Sequence, residues 1–187
     1  MISIAFIRHG ATKGNIEKRY IGRTDEALSK TGIEQALKLK VCNFPTEYIF
    51  VSPMKRAVQT AEIVFPESKY IVEENFRETD FGAFEGKNAS ELSDNNEYRQ
   101  WVDSMCTAPI PGGESITDFK KRCVEAFRKI IEALPDNAEA SFVVHGGVIM
   151  AILEAYAGKE GSFYDYHIKN GEFLLCRFEN GKIEFKI

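Results

Sequence analysis

A histidine and an arginine directly follow the first apolar run of the chain. The run at residues 2–7 leads into Arg8-His9-Gly10, and α/β proteins build their sites at the ends of strands. A histidine there can act as a nucleophile toward phosphorus, and a neighbouring guanidinium can hold phosphoryl oxygens with two parallel hydrogen bonds. The tripeptide alone also fits a histidine that only makes structural hydrogen bonds, so other segments must decide.

The loop after His9 carries further groups suited to an anion. Its glycines, Gly10 and Gly14, allow the backbone to approach phosphate closely. The side chains of Thr12 and Asn15 can donate hydrogen bonds to phosphate oxygens. An ordinary strand-to-helix loop is the alternative interpretation.

A second arginine, Arg56, follows another predicted strand. Ser52 is predicted to cap the next helix and Pro53 to open it, which places Arg56 in the first turn. Free backbone N–H groups and the helix dipole favour an anion at that place, and the guanidinium adds its own donors. For an arginine considered alone, an exposed ion pair of little energetic value is the alternative.

Carboxylates cluster among aromatic residues and glycines at residues 76–86. Glu78 and Glu85 lie there outside any helical pattern, so at least one of them is expected to be partly desolvated and able to carry a proton. A leaving alkoxide needs such an acid. Glu78 is the first choice and Glu85 the reserve, and the alternative is that these groups cap turns or pair with Arg77.

A second strand delivers His145 at its end, followed by Gly146-Gly147. Parallel strands end at the same edge of a sheet, so His145 is expected beside His9. Two histidines and two arginines at one edge would bury much positive charge, which is costly without an anion to neutralise it. The sequence therefore predicts an anion site there.

The elements that position these residues predict an α/β fold, a three-layer α/β/α sandwich. Apolar runs at residues 2–7, 48–51, 70–72 and 141–144 alternate with helical patterns. That order is typical of a mostly parallel sheet with helices on both faces. Near the end of the chain, runs at 173–178 and 182–187 flank Asn180-Gly181, which favours a tight hairpin and an antiparallel edge.

Two further helices are predicted from their starts. One begins after Leu28-Ser29, and the other has Ser115 and Asp118 as a capping pair and runs through Leu134. The predicted apolar face of the first consists of Ile33, Ala36 and Leu37.

Composition restricts the class of protein. The 187 residues, 44% of them apolar, suit a single domain over 1–187 with a real core. A formal charge of -4 argues against nucleic acid or an anionic membrane as partner. The four cysteines are far apart and are read as reduced thiols, and neither a leader nor a membrane span is recognised, so a cytoplasmic location is expected.

Together these segments resemble the histidine phosphatase superfamily, which includes cofactor-dependent phosphoglycerate mutases and acid phosphatases. The family signature is carried by Arg8-His9-Gly10, the second arginine by Arg56, the acid by Glu78 before Phe81-Gly82, and the second histidine by His145. The resemblance covers almost the whole chain, including residues 20–29. One departure is Ala11, which stands where a glutamate is common.

The resemblance implies a two-step hydrolysis through a phosphohistidine. His9 attacks phosphorus while Arg8, Arg56 and His145 hold the equatorial oxygens, and Glu78 protonates the leaving oxygen. Water then attacks, helped by the same carboxylate. No metal and no cofactor is expected, and His167 is interpreted as structural. The predicted substrate-binding residues are Thr12, Asn15, Gly22, Arg23 and Gly146.

Within the family, the short chain and residues 111–122 look like alpha-ribazole phosphatases, which act late in cobalamin assembly. The alternatives are a broad-specificity small-molecule phosphatase, a phosphoglycerate mutase and a non-catalytic phospholigand-binding protein. Residues 87–115 can form a lid in which Trp101 stacks on an aromatic leaving group, or Trp101 is simply core. Arg23 is equally well a solvated loop charge. An edge strand could also pair two chains into a homodimer.

Overall fold

A six-stranded sheet forms the centre of the molecule in the computed structural model, which describes residues 1–158 and 161–185. The strand order is β3-β2-β4-β1-β5-β6. The strands are β1 (Ile2–Arg8), β2 (Tyr48–Val51), β3 (Ile71–Val72), β4 (Glu139–Val144), β5 (Phe173–Glu179) and β6 (Lys182–Phe185). The helices are α1 (Lys13–Ile16), α2 (Lys30–Leu39), α3 (Lys55–Val64), α4 (Asn96–Asp103), α5 (Ile116–Ala133) and α6 (Gly146–Tyr156), with short 3-10 turns at Glu74–Phe76, Gly82–Phe84 and Phe163–Tyr166.

The sheet is parallel across β3, β2, β4 and β1 and antiparallel across β1, β5 and β6. The mostly parallel sheet with an antiparallel edge is thereby confirmed. Asn180 and Gly181 both have positive φ, 51° and 75°, as the predicted tight turn between β5 and β6 requires. Residues 186–187 of the last predicted strand lie outside the described residues.

Alternate residues of the strands point into two separate cores. Ile4 and Phe6 of β1 pack on the side of α5 and α6, while Ala5 and Ile7 pack on the side of α2 and α3. In the central strands β1, β2 and β4 both faces are covered, so most of their residues are apolar in succession. The three-layer architecture is confirmed.

Two local predictions are wrong in detail. Helix α3 begins at Lys55 with Met54 as a cap that makes no side-chain hydrogen bond, so Ser52-Pro53 precedes the helix instead of opening it. The Ser52 hydroxyl bonds His145 at 2.7 Å and accepts from the N–H of Met54 at 3.4 Å, but it caps no N–H within α3.

The predicted face of α2 is also only partly buried. The helix begins after Ser29 as expected, but it buries Gly32, Ala36 and Leu39, and leaves Ile33 and Leu37 43% and 52% exposed. Gly32 packs directly on the backbone of residues 10–11, and this close approach fixes which face turns inward.

Residues 87–115 lie over the carboxyl-terminal edge of the sheet as a compact segment with its own apolar cluster. Trp101 is 6% exposed and packs in this cluster with Phe84, Leu92, Tyr98 and Ile110. In the described part of the chain, the helices are too short or too polar to cross a membrane.

Candidate active site

Three neighbouring parallel strands deliver the central residues. In β1 and β4, Arg8 lies opposite Val144, so His9 and His145 leave the sheet at the same level. Their rings meet edge to face with centroids 4.9 Å apart. The expected meeting of the two histidines at one sheet edge therefore follows from strand register.

His9 is held in one tautomer by its own loop. Its Nδ1 lies 2.7 Å from the carbonyl oxygen of Gly10, which can only accept, so Nδ1 carries the proton and Nε2 keeps its lone pair. Burial, followed by the positive charge of Arg56, lowers the pKa of His9 well below its usual value. The free ring is therefore neutral near neutral pH, which is the form that can act as a nucleophile.

Arg8 reaches across to the segment before β5. Its Nη1 donates to the carbonyl of Ile168 at 2.6 Å and lies 3.1 Å from Nε2 of His167. Its Nε is buried without a hydrogen-bond partner in the described part of the chain. A buried donor without a partner is costly, so this nitrogen is available to an incoming acceptor such as a phosphoryl oxygen.

Arg56 is only 1% exposed and is held by backbone oxygens. Nη1 donates to the carbonyl of Thr24 and Nη2 to that of Gly22, each at 2.9 Å. Its Nε donates to Nδ1 of His145 at 3.3 Å. These neutral acceptors fix the guanidinium without cancelling its charge.

Both ring nitrogens of His145 already have partners. Because the Arg56 Nε–H only donates, Nδ1 of His145 is the acceptor, and Nε2–H donates to the hydroxyl of Ser52 at 2.7 Å. Burial and Arg56 lower the pKa of His145 well below its usual value, and an anion here would act in the opposite direction.

Glu78 closes the site from the opposite side. Its Oε1 accepts from the N–H of Thr79 at 2.9 Å, and its Oε2 from the N–H of Gly147 at 3.0 Å, at the start of α6. A Cβ on Gly147 would lie 2.3 Å from that carboxylate. The glycine after Gly146 is thus required by the close approach of Glu78.

Glu85, the reserve acid, has a different position. Its Oε1 accepts from the N–H groups of Gly22 and Thr24 at 2.8 and 2.9 Å. It holds the loop that surrounds Arg56 and, like Arg56 and His145, is not among the residues that line the cavity at His9.

A cavity of about 380 Å³ opens beside His9. Its polar end contains Arg8, His9, Glu78 and the backbone of Gly146. The apolar part of its wall is formed by Tyr20, Ile21, Phe81, Trp101, Cys106, Ala108, Ile110, Ile116, Met150, Phe163 and Tyr164. The arrangement suits a phosphate at one end and an apolar or aromatic group at the other. No cluster of three or more His, Cys, Asp or Glu side chains suited to a metal ion occurs within 1–158 and 161–185.

The predicted substrate-binding residues divide into three groups. Asn15 and Gly146 line the cavity. Thr12 is fully buried and caps α1, and Gly22 supports Arg56 through its carbonyl. Arg23 is 75% exposed, pairs with Asp80 at 3.2 Å and lines a smaller neighbouring cavity.

One detail differs from the sequence interpretation of this loop. The free space expected at Gly10 is occupied by protein, since a Cβ there would lie 2.3 Å from the carbonyl oxygen of Gly32. This glycine permits helix packing. Ala11 is buried, and its N–H donates to Gln35 at 2.8 Å.

His167, which the sequence suggested to be structural, also lines the cavity beside Arg8. Tyr20 and Glu114 were not predicted to do so.

The comparisons with known proteins agree with this geometry. The model of the histidine phosphatase superfamily (branch 1) matches residues 4–187. The chain is 29% identical to an uncharacterized phosphatase, PhoE, of Bacillus subtilis, covering all of this chain and 93% of that one. It is 28% identical to the "Probable phosphoglycerate mutase GpmB" of Proteus mirabilis, covering 84% of this chain and 76% of that one.

The fold matches the crystal structure of the alpha-ribazole phosphatase from Shigella flexneri with a TM-score of 0.86 at 24% identity, covering 99% of this chain and 95% of that one. The match to the family model extends over nearly the whole chain and includes every residue of the site. The chain therefore belongs to the histidine phosphatase superfamily.

Proposed function

We propose that this phosphatase hydrolyses phosphomonoesters through a phosphohistidine at His9. The observation that carries the proposal is the neutral His9 ring, whose bond to Gly10 leaves Nε2 unprotonated at the polar end of the cavity. The guanidinium groups of Arg8 and Arg56 lie beside it, held in place by backbone carbonyls, and the buried Nε of Arg8 has no partner in the described part of the chain. Such fixed donors stabilise the equatorial oxygens of a transferring phosphoryl group.

In the first step, Nε2 of His9 forms a bond to phosphorus while the bond from phosphorus to the ester oxygen breaks. Glu78 gives its proton to the departing oxygen. In the second step, water attacks the phosphohistidine, the N–P bond breaks, and the Glu78 carboxylate takes the proton of that water. The products are an alcohol and inorganic phosphate, and both His9 and Glu78 return to their starting states.

The shape of the cavity favours a neutral aromatic leaving group. Tyr20, Phe81 and Trp101 lie together in its apolar wall, with the Tyr20 ring 5.2 Å from Phe81 and 5.4 Å from Trp101. An aromatic group can stack or pack edge to face in such a wall. Alpha-ribazole 5'-phosphate combines a phosphate with a benzimidazole, and we propose it as the substrate, which would place the enzyme in cobalamin biosynthesis.

A broad-specificity phosphatase is the alternative that the same wall supports, because apolar contacts discriminate weakly between ligands. A phosphoglycerate mutase is less well supported. Its substrate carries a carboxylate, whereas Arg19 in the lining is already paired with Glu17 and Glu91. A cytoplasmic location and a homodimer remain predictions of the sequence, as does catalysis without a metal.

The test is phosphate release in excess chelator from alpha-ribazole 5'-phosphate, phosphoserine, 3-phosphoglycerate and p-nitrophenyl phosphate. His9→Ala is the control, and acid-labile phosphate on His9 is measured after rapid quenching. We expect release that depends on His9 and is fastest with alpha-ribazole 5'-phosphate. Equal, slow release from all four esters would support phosphatase activity but contradict alpha-ribazole 5'-phosphate as the substrate and the assignment to cobalamin biosynthesis. Release that persists in His9→Ala would refute the phosphohistidine.

A further inference from the structure

We infer that Arg122, together with Glu114, positions the general acid Glu78. The inference rests on the proposed role of Glu78 and assigns a function to two residues that do not take part in the chemical steps. Arg122 lines the smaller neighbouring cavity and not the one that contains His9, so it acts through the segment it holds and not by touching substrate.

The guanidinium of Arg122 holds the backbone on which Glu78 is carried. Nη1 donates to the carbonyl oxygens of Asn75 and Arg77 at 2.5 and 2.8 Å, and Nη2 donates to that of Glu78 at 3.1 Å. One side chain thus satisfies three carbonyls within four residues. Residues 77–81 have no helix or strand of their own to fix them, so these bonds take the place of regular structure.

Glu114 completes the arrangement from the other side. Its two carboxylate oxygens accept from Nε and Nη2 of Arg122 at 2.7 and 2.8 Å. Its backbone N–H donates to the carbonyl of Asp80 at 3.0 Å. The pair therefore holds the segment on both sides of Glu78, and the side chains are only 23% and 18% exposed.

The planar fork of Arg122 is necessary for this geometry. A lysine has a single ammonium on a flexible stem and cannot bind a carboxylate with two parallel bonds while also reaching three carbonyls. The Glu78 carboxylate itself is held by two backbone N–H groups, one of which is on α6. A shift of its backbone therefore changes its distance from the ester oxygen, and a displacement of about 1 Å can cost about 100-fold in rate.

The same helix offers a matched control. Arg128 of α5 also makes two bonds to a glutamate, Glu132, at 2.9 and 2.7 Å. That pair is exposed, with side chains 49% and 60% accessible. Arg128→Lys therefore changes the same residue type on the same helix without affecting the segment that carries Glu78.

The experiment compares kcat/KM for two esters that differ in their need for an acid. p-Nitrophenolate leaves as a stable anion, whereas the alkoxide of β-glycerophosphate must be protonated as it leaves. We expect Arg122→Lys to lower kcat/KM by about 10- to 100-fold on β-glycerophosphate and less than about 3-fold on p-nitrophenyl phosphate. Arg128→Lys should change neither. In a Glu78→Gln background, Arg122→Lys should have no further effect on β-glycerophosphate.

The outcomes separate the two assignments. Suppose that Glu78→Gln lowers kcat/KM only for β-glycerophosphate. The positioning role is then overturned if Arg122→Lys lowers kcat/KM equally for both esters, or if its effect on β-glycerophosphate multiplies with that of Glu78→Gln in the double variant. If Glu78→Gln reduces both esters equally, Glu78 is not the acid and the positioning role falls with it. If Arg122→Lys does not fold, Glu114→Gln takes its place, because it preserves the side-chain shape and weakens the ion pair with Arg122. For the inference to stand, Glu114→Gln must also lower kcat/KM more for β-glycerophosphate than for p-nitrophenyl phosphate.

Discussion

Lowering the pH should destabilise this protein through its two buried histidines. His9 and His145 are 3% and 0% exposed, and burial, together with Arg56, lowers the pKa of each well below the usual value. The folded state therefore keeps both rings neutral under mildly acidic conditions. The unfolded chain protonates them below about pH 6.5, so the unfolded state binds more protons and the free energy of unfolding falls as pH falls.

The size of the effect follows from this difference. Consider a histidine that has a pKa of about 6.5 in the unfolded chain and stays neutral in the folded one. Between about pH 7.5 and about pH 5.5 it lowers the free energy of unfolding by about 1.4 kcal/mol. His9 and His145 together should therefore cost about 2.7 kcal/mol over that interval. Exposed carboxylates titrate mainly at lower pH.

The assay is urea unfolding at both pH values in a buffer without phosphate, for the wild type and for His9→Asn, His145→Asn and the double variant. Each single variant should lose about half of the pH dependence that these two rings cause, and the double variant should keep only the smaller part due to His167, whose pKa burial also lowers. A double variant as sensitive to pH as the wild type would refute the neutral, buried state of the two rings. Added phosphate should reduce the wild type's pH dependence, since an anion favours the protonated rings.

Two substitutions test the walls of the site. Gly147→Ala places a Cβ 2.3 Å from Oε1 of Glu78 and so displaces the carboxylate. We expect about 100-fold lower kcat/KM on alkyl phosphates. Unchanged kcat/KM would show that the position of the carboxylate is unimportant. Trp101→Ala removes a ring that packs within 6 Å of Tyr20, Phe84 and Tyr98. Trp101→Ala should lower the free energy of unfolding, measured with urea, by about 3–5 kcal/mol. It should also abolish any preference for aromatic esters over alkyl esters. A preference that survives would exclude stacking of the substrate on Trp101.

Local sequence signals were sufficient for most of the fold. The central strands β1, β2 and β4 were recognised because both faces of the sheet are covered there, so most of their residues are apolar in succession. The starts of α2 and α5 were recognised because Ser29 and Ser115 make their cap bonds to nearby N–H groups.

The predictions failed where a distant residue competes with a local preference. Ser52 looks like a cap, but its hydroxyl bonds His145, 93 positions later. The buried face of α2 includes Gly32, which a hydrophobic pattern cannot reveal, because its role is to let two backbones touch. Neither signal lies within the window in which a helix is recognised.

For the site, too, the candidate catalytic residues could be predicted from the sequence, whereas the contacts that hold them in place could not. The order of Arg8, His9, Arg56, Glu78 and His145 along the chain could be recognised because each lies in a short segment with its own motif. The groups that hold them could not. His167 meets Arg8 across 159 positions, and Arg122 meets the carbonyl of Glu78 across 44.

The way in which the two arginines are held changes the argument for an anion. From the sequence, buried positive charge appeared to demand a negative partner. The structure gives Arg56 backbone carbonyls instead, so its hydrogen bonds are satisfied while its charge is kept. Arg8 differs, because its buried Nε has no partner in the described part of the chain. Because the groups that hold Arg56 are neutral carbonyls, its charge remains available to a transferring phosphoryl group and needs no rearrangement when the reaction occurs. The buried Nε of Arg8 is in addition an unsatisfied donor, so it is the stronger indication of where an oxygen binds.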